Sequence, residues 1–530
     1  MGLYLNPNAD AFSDDRNTRI YIDKSLVIGE LNQLVSTKGD FICMSRPRRF
    51  GKSMVGNMIS AYYSKGCDTR SFFSPMKIGQ TPDYDKYLNK LNVIKLDLNE
   101  WYQNSLIKGQ EKSLIGTINN KLRKEFSNQF VSICFEEDDT IADCILKVYS
   151  SIGEKFVIII DEYDVLVREN VPQTLFDSYL SFLNGLFKGT TIRPAIALAY
   201  ITGIMPIVRD KVQSKLNEFS EYTMLSPAQF AGMIGFTEEE VKALCEQYGT
   251  DYDECLRWYD GYKMSETVKV CNPLSVVNAI TRGEFDSYWS ATGSFEALRD
   301  YILMDFEGIR QDIIRMIAGE SVEVEAGTFQ NTMNSFHSKD DVFTYLIHLG
   351  YLYYNRKEKT CQIPNEEVRQ EWIKSIRLSP DYKSVMAVVN ASKRLLDDTI
   401  NGNEEAVARA LDAAHTEVTN PLTYNDEHCF QSAICLAYFY ANTRYTLVKE
   451  LPTGKGYADL VLVPYLPNIP ALVIELKHNK SAESALEQIK KRNYCQALDQ
   501  YYDNLLFVGI NYDEKTKEHT CKIERVEKKR

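Results

Sequence analysis

Phe41 to Ser53 reads FICMS-RPRRFGKS, an apolar run passing directly into a loop that ends in Gly51-Lys52-Ser53, and the helix-forming MVGNMISAYY follows. A strand, a tight turn and a helix start are what a phosphate-binding loop requires. Glycine lets the backbone wrap the anion, lysine reaches the β- and γ-phosphates, and the serine hydroxyl serves magnesium. The general pattern GxxxxGK[ST] has one irregularity here, Arg46 in place of its first glycine. Gly-Lys-Ser alone fits a helix start with a surface lysine equally well, so the reading depends on what the rest of the chain supplies.

The second half of the signal is FVIIIDEYD, Phe156 to Asp164, an apolar strand ending in Asp161-Glu162. An aspartate at such a strand end holds the magnesium water shell, and the following glutamate can polarise the attacking water. An exposed acidic turn after a core strand is the plainer alternative. Two motifs in order, each at a strand end, favour an ATP site. The expected nucleotide set is Arg48, Arg49, Gly51, Lys52, Ser53, Asp161 and Thr202, with Ser53 and Asp161 serving Mg²⁺ and Glu162 catalytic. Thr202 ends the strand PAIALAYITGI, where it either senses the γ-phosphate or simply terminates the strand. Arg209 is a candidate arginine finger.

Working outward, Phe41–Ser45, Asn92–Leu98, Phe156–Asp161 and Ala195–Gly203 are apolar runs separated by helical stretches such as Met54–Tyr63, Glu111–Gln129 and Thr174–Phe187. Continuous apolar strands alternating with helices predict a parallel sheet covered on both faces. From Ser226 to Ile376 the chain turns mostly helical. Within it, Asp341–Tyr354 followed by the strand Thr360–Ile363 has the form of a helix plus wing. Asp381–Thr416 reads as a polar helical connection. A compact α/β unit follows: helix Glu427–Asn442, strands Arg444–Leu451, Gly456–Val463 and Ala471–His478, helix Ala482–Asn493 and strand Asn504–Ile510. The fold class is therefore α/β, with expected domains at 1–285 (phosphate-loop sheet), 286–395 (helical, winged-helix-like) and 396–530 (C-terminal α/β).

In that last unit Asp459 opens the strand LVLVPY, and Ala471–Lys477, ALVIELK, puts Glu475 and Lys477 on one strand face. A charge within such an apolar strand is costly unless paired or bound to metal. Two carboxylates can hold Mg²⁺ or Mn²⁺ through oxygen, the Leu476 carbonyl can add a ligand, and Lys477 can orient the attacking water. A surface ion pair is the bland alternative for so short a pattern.

These segments carry two family resemblances. The N-terminal part resembles the AAA-ATPase-like domain of many bacterial proteins, over roughly residues 5–300. The matches are YIDKS (Tyr21–Ser25), SRPRRFGKS (Ser45–Ser53), IIIDEYD (Ile158–Asp164), TGI (Thr202–Ile204), GFTEEEV (Gly235–Val241), WYDGYK (Trp258–Lys263), NPLSV (Asn272–Val276) and YWSATG (Tyr288–Gly293). That family carries arginine where other phosphate loops have their first glycine, so Arg46 departs from the general pattern only. The C-terminal part resembles the PD-(D/E)xK nuclease superfamily, of restriction-endonuclease-like fold, with Ala458 replacing the proline before the first acid. The resemblance implies Glu427, Asp459, Glu475 and Lys477 as the metal and catalytic set, Glu427, Asp459 and Glu475 being the metal ligands. It also implies Gln488 and Tyr494 as supporting residues, and the matched elements include Glu450.

Composition narrows the setting. With 61 Lys and Arg against 73 Asp and Glu, the formal net charge is −12. A chain that merely coats nucleic acid presents a broad basic surface, so any nucleic-acid contact here must be a local patch or work through a metal. Twelve cysteines without a CxxC pair exclude the usual zinc patterns and read as reduced thiols. The six histidines show no ligand spacing, and the basic stretch Lys522–Arg530 reads as a solvated tail. The start of the chain lacks a basic-then-apolar order, and the longest apolar run, Pro194–Val208, is broken by Pro206. The expectation is a soluble cytoplasmic protein that binds and hydrolyses ATP and regulates a metal-dependent nuclease acting on DNA or RNA. The alternative is a nucleotide-dependent switch whose nuclease-like part binds a partner without cutting.

Overall fold

A computed structural model of the chain describes residues 2–169, 171–207, 216–289, 295–304, 306–327, 329, 336–377, 379–418, 427–453, 456–466, 468–492 and 504–526. It forms two compact units, Met1–Thr292 with Glu323–Arg369, and Gly293–Val322 with Gln370–Arg530. The expected middle region 286–395 is therefore divided between the units instead of standing alone.

The first unit is built on five parallel strands, β1 (Phe41–Ser45), β2 (Asn92–Asp97), β3 (Phe156–Asp161), β4 (Ile196–Gly203) and β5 (Ser220–Tyr222), in the order β2-β3-β4-β1-β5. Every residue of β1, β3 and β4 is buried, which is why these strands are continuously apolar and do not alternate. Helices Leu114–Gln129, Ile141–Ile152 and Gln173–Phe187 pack Ile118, Phe126, Val148 and Leu183 against Phe156 and Ile158. Burying one such side chain contributes about 1.5–3 kcal/mol. The strand expected to reach Leu98 stops at Asp97, which instead caps the helix Leu98–Ile107 by accepting the Glu100 N–H at 3.0 Å.

Short pairings are added that no local pattern announces: β5, and an antiparallel sheet of Phe236–Thr237, Lys269–Cys271 and Tyr262–Lys263. The expected helix plus wing is a helix, Lys339–Leu349, followed by an antiparallel hairpin of Tyr353–Asn355 and Thr360–Gln362, within the first unit. Gly350 ends that helix in the left-handed region, four residues earlier than its apolar continuation suggests.

The second unit carries a mixed sheet of β6 (Tyr445–Thr453), β7 (Gly456–Pro464), β8 (Ala471–His478), β9 (Leu505–Asp513) and β10 (Glu518–Arg525), in that order. All neighbours are antiparallel except β8 and β9, which are parallel and joined through helix Ala482–Arg492. That helix sets Leu486 and Ile489 on Val461, Val473, Leu505 and Phe507.

Two expectations are corrected here. The stretch 381–416 is not a mere connection, since its helices Lys383–Ile400 and Glu404–Val418 pack into this unit. Glu404 accepts the Ile523 N–H at 3.0 Å and Lys522 at 2.9 Å, and Asp412 accepts the His519 N–H at 2.7 Å. These carboxylates satisfy donors of an edge strand that would otherwise invite pairing. Lys522–Arg525 consequently belongs to β10 and is not a solvated tail; residues 527–530 lie outside the described residues.

Candidate functional site

The order of strands decides the geometry of the first site. β4 lies between β1 and β3, so the phosphate loop and the acidic turn flank the end of a third strand. Gly51 caps the helix Lys52–Tyr63 with φ +91°, a backbone that glycine adopts without strain. Lys52 is 5% exposed, and its Nζ donates to the Pro47 carbonyl at 3.0 Å within its own loop. Burial lowers its pKa, against the opposing pull of Glu162, Asp161 and Asp164. Burial raises that of Asp161; a hydrogen bond from Ser53 opposes the rise and Asp97 adds to it. A hydroxyl and a carboxylate suited to one magnesium ion thus neighbour each other, and that hard oxygen donor set fits the ion.

A cavity of about 790 Å³ opens along this loop. Arg48, Arg49, Gly51, Lys52, Ser53 and Glu162 line its polar side. Ile20, Tyr21, Ile22, Ile234, Phe236 and Leu274 line the other, an apolar wall suited to a planar heterocycle. The wall comes from the YIDKS, GFTEEEV and NPLSV neighbourhoods, whose chemistry no local spacing discloses. Lys24 fastens two of them, donating to the Gly232 carbonyl at 3.0 Å and to Glu240 at 2.5 Å. The Gly235 N–H donates to the Phe50 carbonyl at 3.2 Å, joining the wall to the phosphate loop. Tyr262 of WYDGYK sets its ring 5.4 Å from that of Phe50 and donates to the Gly350 carbonyl at 2.6 Å.

One expected residue stands elsewhere and another is not described. Thr202 is fully buried, and its hydroxyl donates to the Met44 carbonyl at 2.8 Å, so it does not line the cavity. Arg209 lies outside the described residues. The Arg46 irregularity has a physical account. Its buried guanidinium donates to the carbonyls of Ser45 (2.8 Å), Tyr222 (3.0 Å) and Phe230 (3.2 Å), and burial draws its pKa down to about 10. It ties the loop to the chain leading into the apolar wall. Arg46→Gly, which restores the general pattern, removes the guanidinium from all three carbonyls, of which that of Phe230 keeps the Met233 N–H at 3.2 Å. Each buried acceptor left unpaired costs about 1–3 kcal/mol, so the expected result is a lower urea midpoint and no gain in ATP affinity.

The second site is set by register. The β7–β8 pairing runs Leu460↔Ile474, placing Asp459 one residue beyond the last pair, at the level of Glu475. Asp459 Oδ2 accepts the Leu476 N–H at 2.7 Å. Glu475 is 0% exposed, and its Oε1 accepts Lys477 Nζ at 3.0 Å and Nε2 of Gln488 from helix Ala482–Arg492. Lys477 Nζ also donates to the Leu476 carbonyl at 3.3 Å. Asp459, Glu475, Lys477 and Gln488 are therefore gathered around one strand end. Two carboxylates and a carbonyl form an oxygen set that fits Mg²⁺ or Mn²⁺. Tyr494 and the side chains of Glu427 and Glu450 lie outside the described residues.

The histidines are less scattered than their spacing suggests. His478, Tyr512 and His519 are paired side by side across β8, β9 and β10, on the face opposite Lys477. His415, from helix Glu404–Val418, sets its ring 4.6 Å from Tyr512 and 5.6 Å from His519. Burial, reinforced by His519, pushes the His415 pKa down to about 4, and burial lowers that of His519 against the pull of Asp412. Burial thus favours the neutral form of both rings. Their stabilisation is full above the ordinary histidine pKa of about 6.5 and is lost as pH falls through the depressed folded values. His415→Phe is expected to flatten the fall of the urea midpoint between pH 6.5 and 4.

Comparison with known proteins matches a family model to each end of the chain. Residues 11–213 match the family model described as predicted AAA-ATPase, and residues 425–521 match that of the PD-(D/E)XK nuclease superfamily. The chain is 25% identical over 292 residues to an uncharacterized protein in the vnfD 5'region of Azotobacter chroococcum mcd 1. That alignment covers 53% of this chain, which spans about half (52%) of that relative's length. Among solved structures it is similar to Cdc6p from Pyrobaculum aerophilum, with a TM-score of 0.28 and 11% identity over 71% of this chain and 99% of that one. It is similar too to the Aeropyrum pernix ORC2 protein (ADPNP-ADP complexes), with a TM-score of 0.30 and 12% identity over 70% and 98%. Among the described residues no helix is long and apolar enough to cross a membrane.

Proposed function

For a chain that carries a AAA-ATPase-like domain and a PD-(D/E)xK nuclease superfamily domain, we propose an ATP-regulated, metal-dependent nuclease acting on DNA or RNA. The observation that carries the reading is the fully buried Glu475 bonded to Lys477, with Asp459 at the same level on the neighbouring strand. A carboxylate buried in an apolar strand is expensive to keep, and hydrolytic chemistry gives the cost a use. Asp459, Glu475 and the Leu476 carbonyl would hold the metal, which when bound supplies Lewis-acid polarisation of the phosphodiester. Lys477, fixed by Glu475 and the Leu476 carbonyl, orients the attacking water and offers positive charge to the developing phosphorane.

In the first unit the Gly51–Ser53 backbone and Lys52 bind the phosphates of ATP, with Arg48 and Arg49 at the cavity edge. The apolar wall takes the base. Ser53 and Asp161 would hold magnesium, which neutralises the β- and γ-oxygens when bound. Glu162 accepts the proton of the attacking water. Glu162→Gln is expected to lose no ATP affinity while turnover falls by about 10²–10⁴-fold, read by equilibrium binding beside phosphate release. Equal turnover in the variant removes Glu162 from the mechanism. Nuclease activity regulated by ATP state requires that cleavage respond to ATP and to Lys52; binding of nucleic acid without cleavage is the outcome favouring a switch.

A further inference from the structure

The turn after β3 carries charged groups that hydrolysis by Lys52, Asp161 and Glu162 leaves without a part. Asp164 is 1% exposed, and its Oδ2 accepts the N–H groups of Ile204 at 3.1 Å and Met205 at 2.8 Å. The same oxygen accepts Arg168 Nε at 3.0 Å. Arg168 Nη2 reaches across to Glu162 Oε2 at 2.6 Å. The turn is tied to the end of β4 twice more: the Tyr163 N–H donates to the Thr202 carbonyl at 3.1 Å and its hydroxyl to the Met205 carbonyl at 2.8 Å. Gly203 makes the approach possible, since a Cβ there would stand 2.4 Å from Asp164 Oδ1. One edge of the guanidinium is thus fixed to a buried anchor, and the anchor is fixed to the backbone following β4.

The other edge faces a choice. Arg168 lines the same cavity as Lys52, Ser53 and Glu162 although its side chain is only 8% exposed. A planar fork held along one edge presents its remaining N–H groups in a set direction, to whichever anion stands there. In this arrangement that anion is Glu162. We propose that Arg168 is a γ-phosphate-binding residue supplied by the chain itself, and that Glu162 and the terminal phosphate of ATP compete for its Nη2 edge.

The competition makes hydrolysis conditional on a third phosphate. With ADP, nothing displaces Glu162, and its Oε2 stays engaged by the guanidinium, turned away from any attacking water. With ATP, the more highly charged phosphate takes over Nη2, Glu162 is released, and its oxygen can accept a proton from water. Asp164 holds the guanidinium in both states. The inference rests on the reading of Glu162 as the base, but the competition itself shows in binding alone.

The test compares the affinities of the full chain for ADP and for a non-hydrolysable ATP analogue, by calorimetry with magnesium. Arg168→Ala is expected to weaken the analogue by about tenfold or more, the worth of one charge-assisted hydrogen bond, with ADP changed by less than about twofold. Glu162→Gln, which removes the competing charge, is expected to tighten the analogue severalfold and leave ADP alone. Equal losses for both nucleotides in Arg168→Ala, or no loss for either, would overturn the proposal. If Arg168→Ala does not fold, Glu162→Gln decides: unchanged analogue affinity overturns it and selective tightening upholds it. Phosphate release by the wild-type chain reports separately on the hydrolysis reading, because the affinity ratio does not depend on turnover.

Discussion

Lys52→Ala is expected to abolish ATP turnover and to weaken ATP binding by about 10²–10³-fold, the cost of losing one preorganised donor in a water-poor site. The size follows from the position of the side chain. Lys52 is 5% exposed and rests on the Pro47 carbonyl at 3.0 Å, so its ammonium is already desolvated and aimed along the loop before any phosphate arrives. No other lysine of the loop can take its place, because its neighbours are Gly51 and Ser53. Removal also takes one cation from the buried group of Asp161, Glu162 and Asp164, leaving Arg168 to offset the last two. Lys52→Met keeps the length of the side chain, and its melting curve separates loss of fold from loss of binding. ATP turnover surviving in a folded Lys52→Met chain would contradict the site.

The second large effect concerns the buried carboxylate of the other unit. Glu475→Gln and Lys477→Ala are each expected to lower metal-dependent strand cleavage by about 10²–10⁴-fold. Glutamine is the better probe at 475. It retains an oxygen for the Gln488 side-chain amide while removing the charge a divalent cation needs. Full truncation to alanine leaves Lys477, itself little exposed, beside an emptied pocket, and breaking such a buried pair costs about 3–5 kcal/mol. Binding of nucleic acid should persist in Glu475→Gln, so a filter-binding assay beside the cleavage assay distinguishes a lost reaction from a lost complex.

How much of this is legible in the chain differs from element to element. FICMS and FVIIID announce themselves because a parallel strand covered on both faces must be apolar throughout. Gly51-Lys52-Ser53 and Asp161-Glu162 are readable for a second reason: their chemistry is local to one turn each. Glu475 and Lys477 are readable as a strand pair two residues apart, and Asp459 joins them through register.

The cavity's apolar wall is not readable in this way. It is assembled from residues near 20, 235 and 274, which meet only through the fold. Arg46 looks like a fault in a loop until its three carbonyl partners are seen, two of them more than 170 residues away. Thr202 illustrates the reverse case: a hydroxyl at a suggestive strand end is consumed by the neighbouring strand's carbonyl. The strand EHTCKIER shows partial alternation, with His519 and Cys521 buried on either side of exposed Thr520, yet its charges make it resemble a tail. Asp164 and Arg168 stand four residues apart, and their ion pair emerges only in the structure. Only the geometry shows that Glu162 is the third member.

The central claim, that ATP state governs cleavage by the Glu475 site, is tested most directly by one comparison. Cleavage of labelled single- and double-stranded DNA and RNA is measured with Mg²⁺ or Mn²⁺, with and without ATP, for the wild-type chain, Lys52→Met and Glu475→Gln. The account predicts cleavage by the wild-type chain that responds to ATP, loss of that response in Lys52→Met, and no cleavage in Glu475→Gln. Cleavage undiminished in Glu475→Gln, or wild-type cleavage indifferent to ATP, would contradict it.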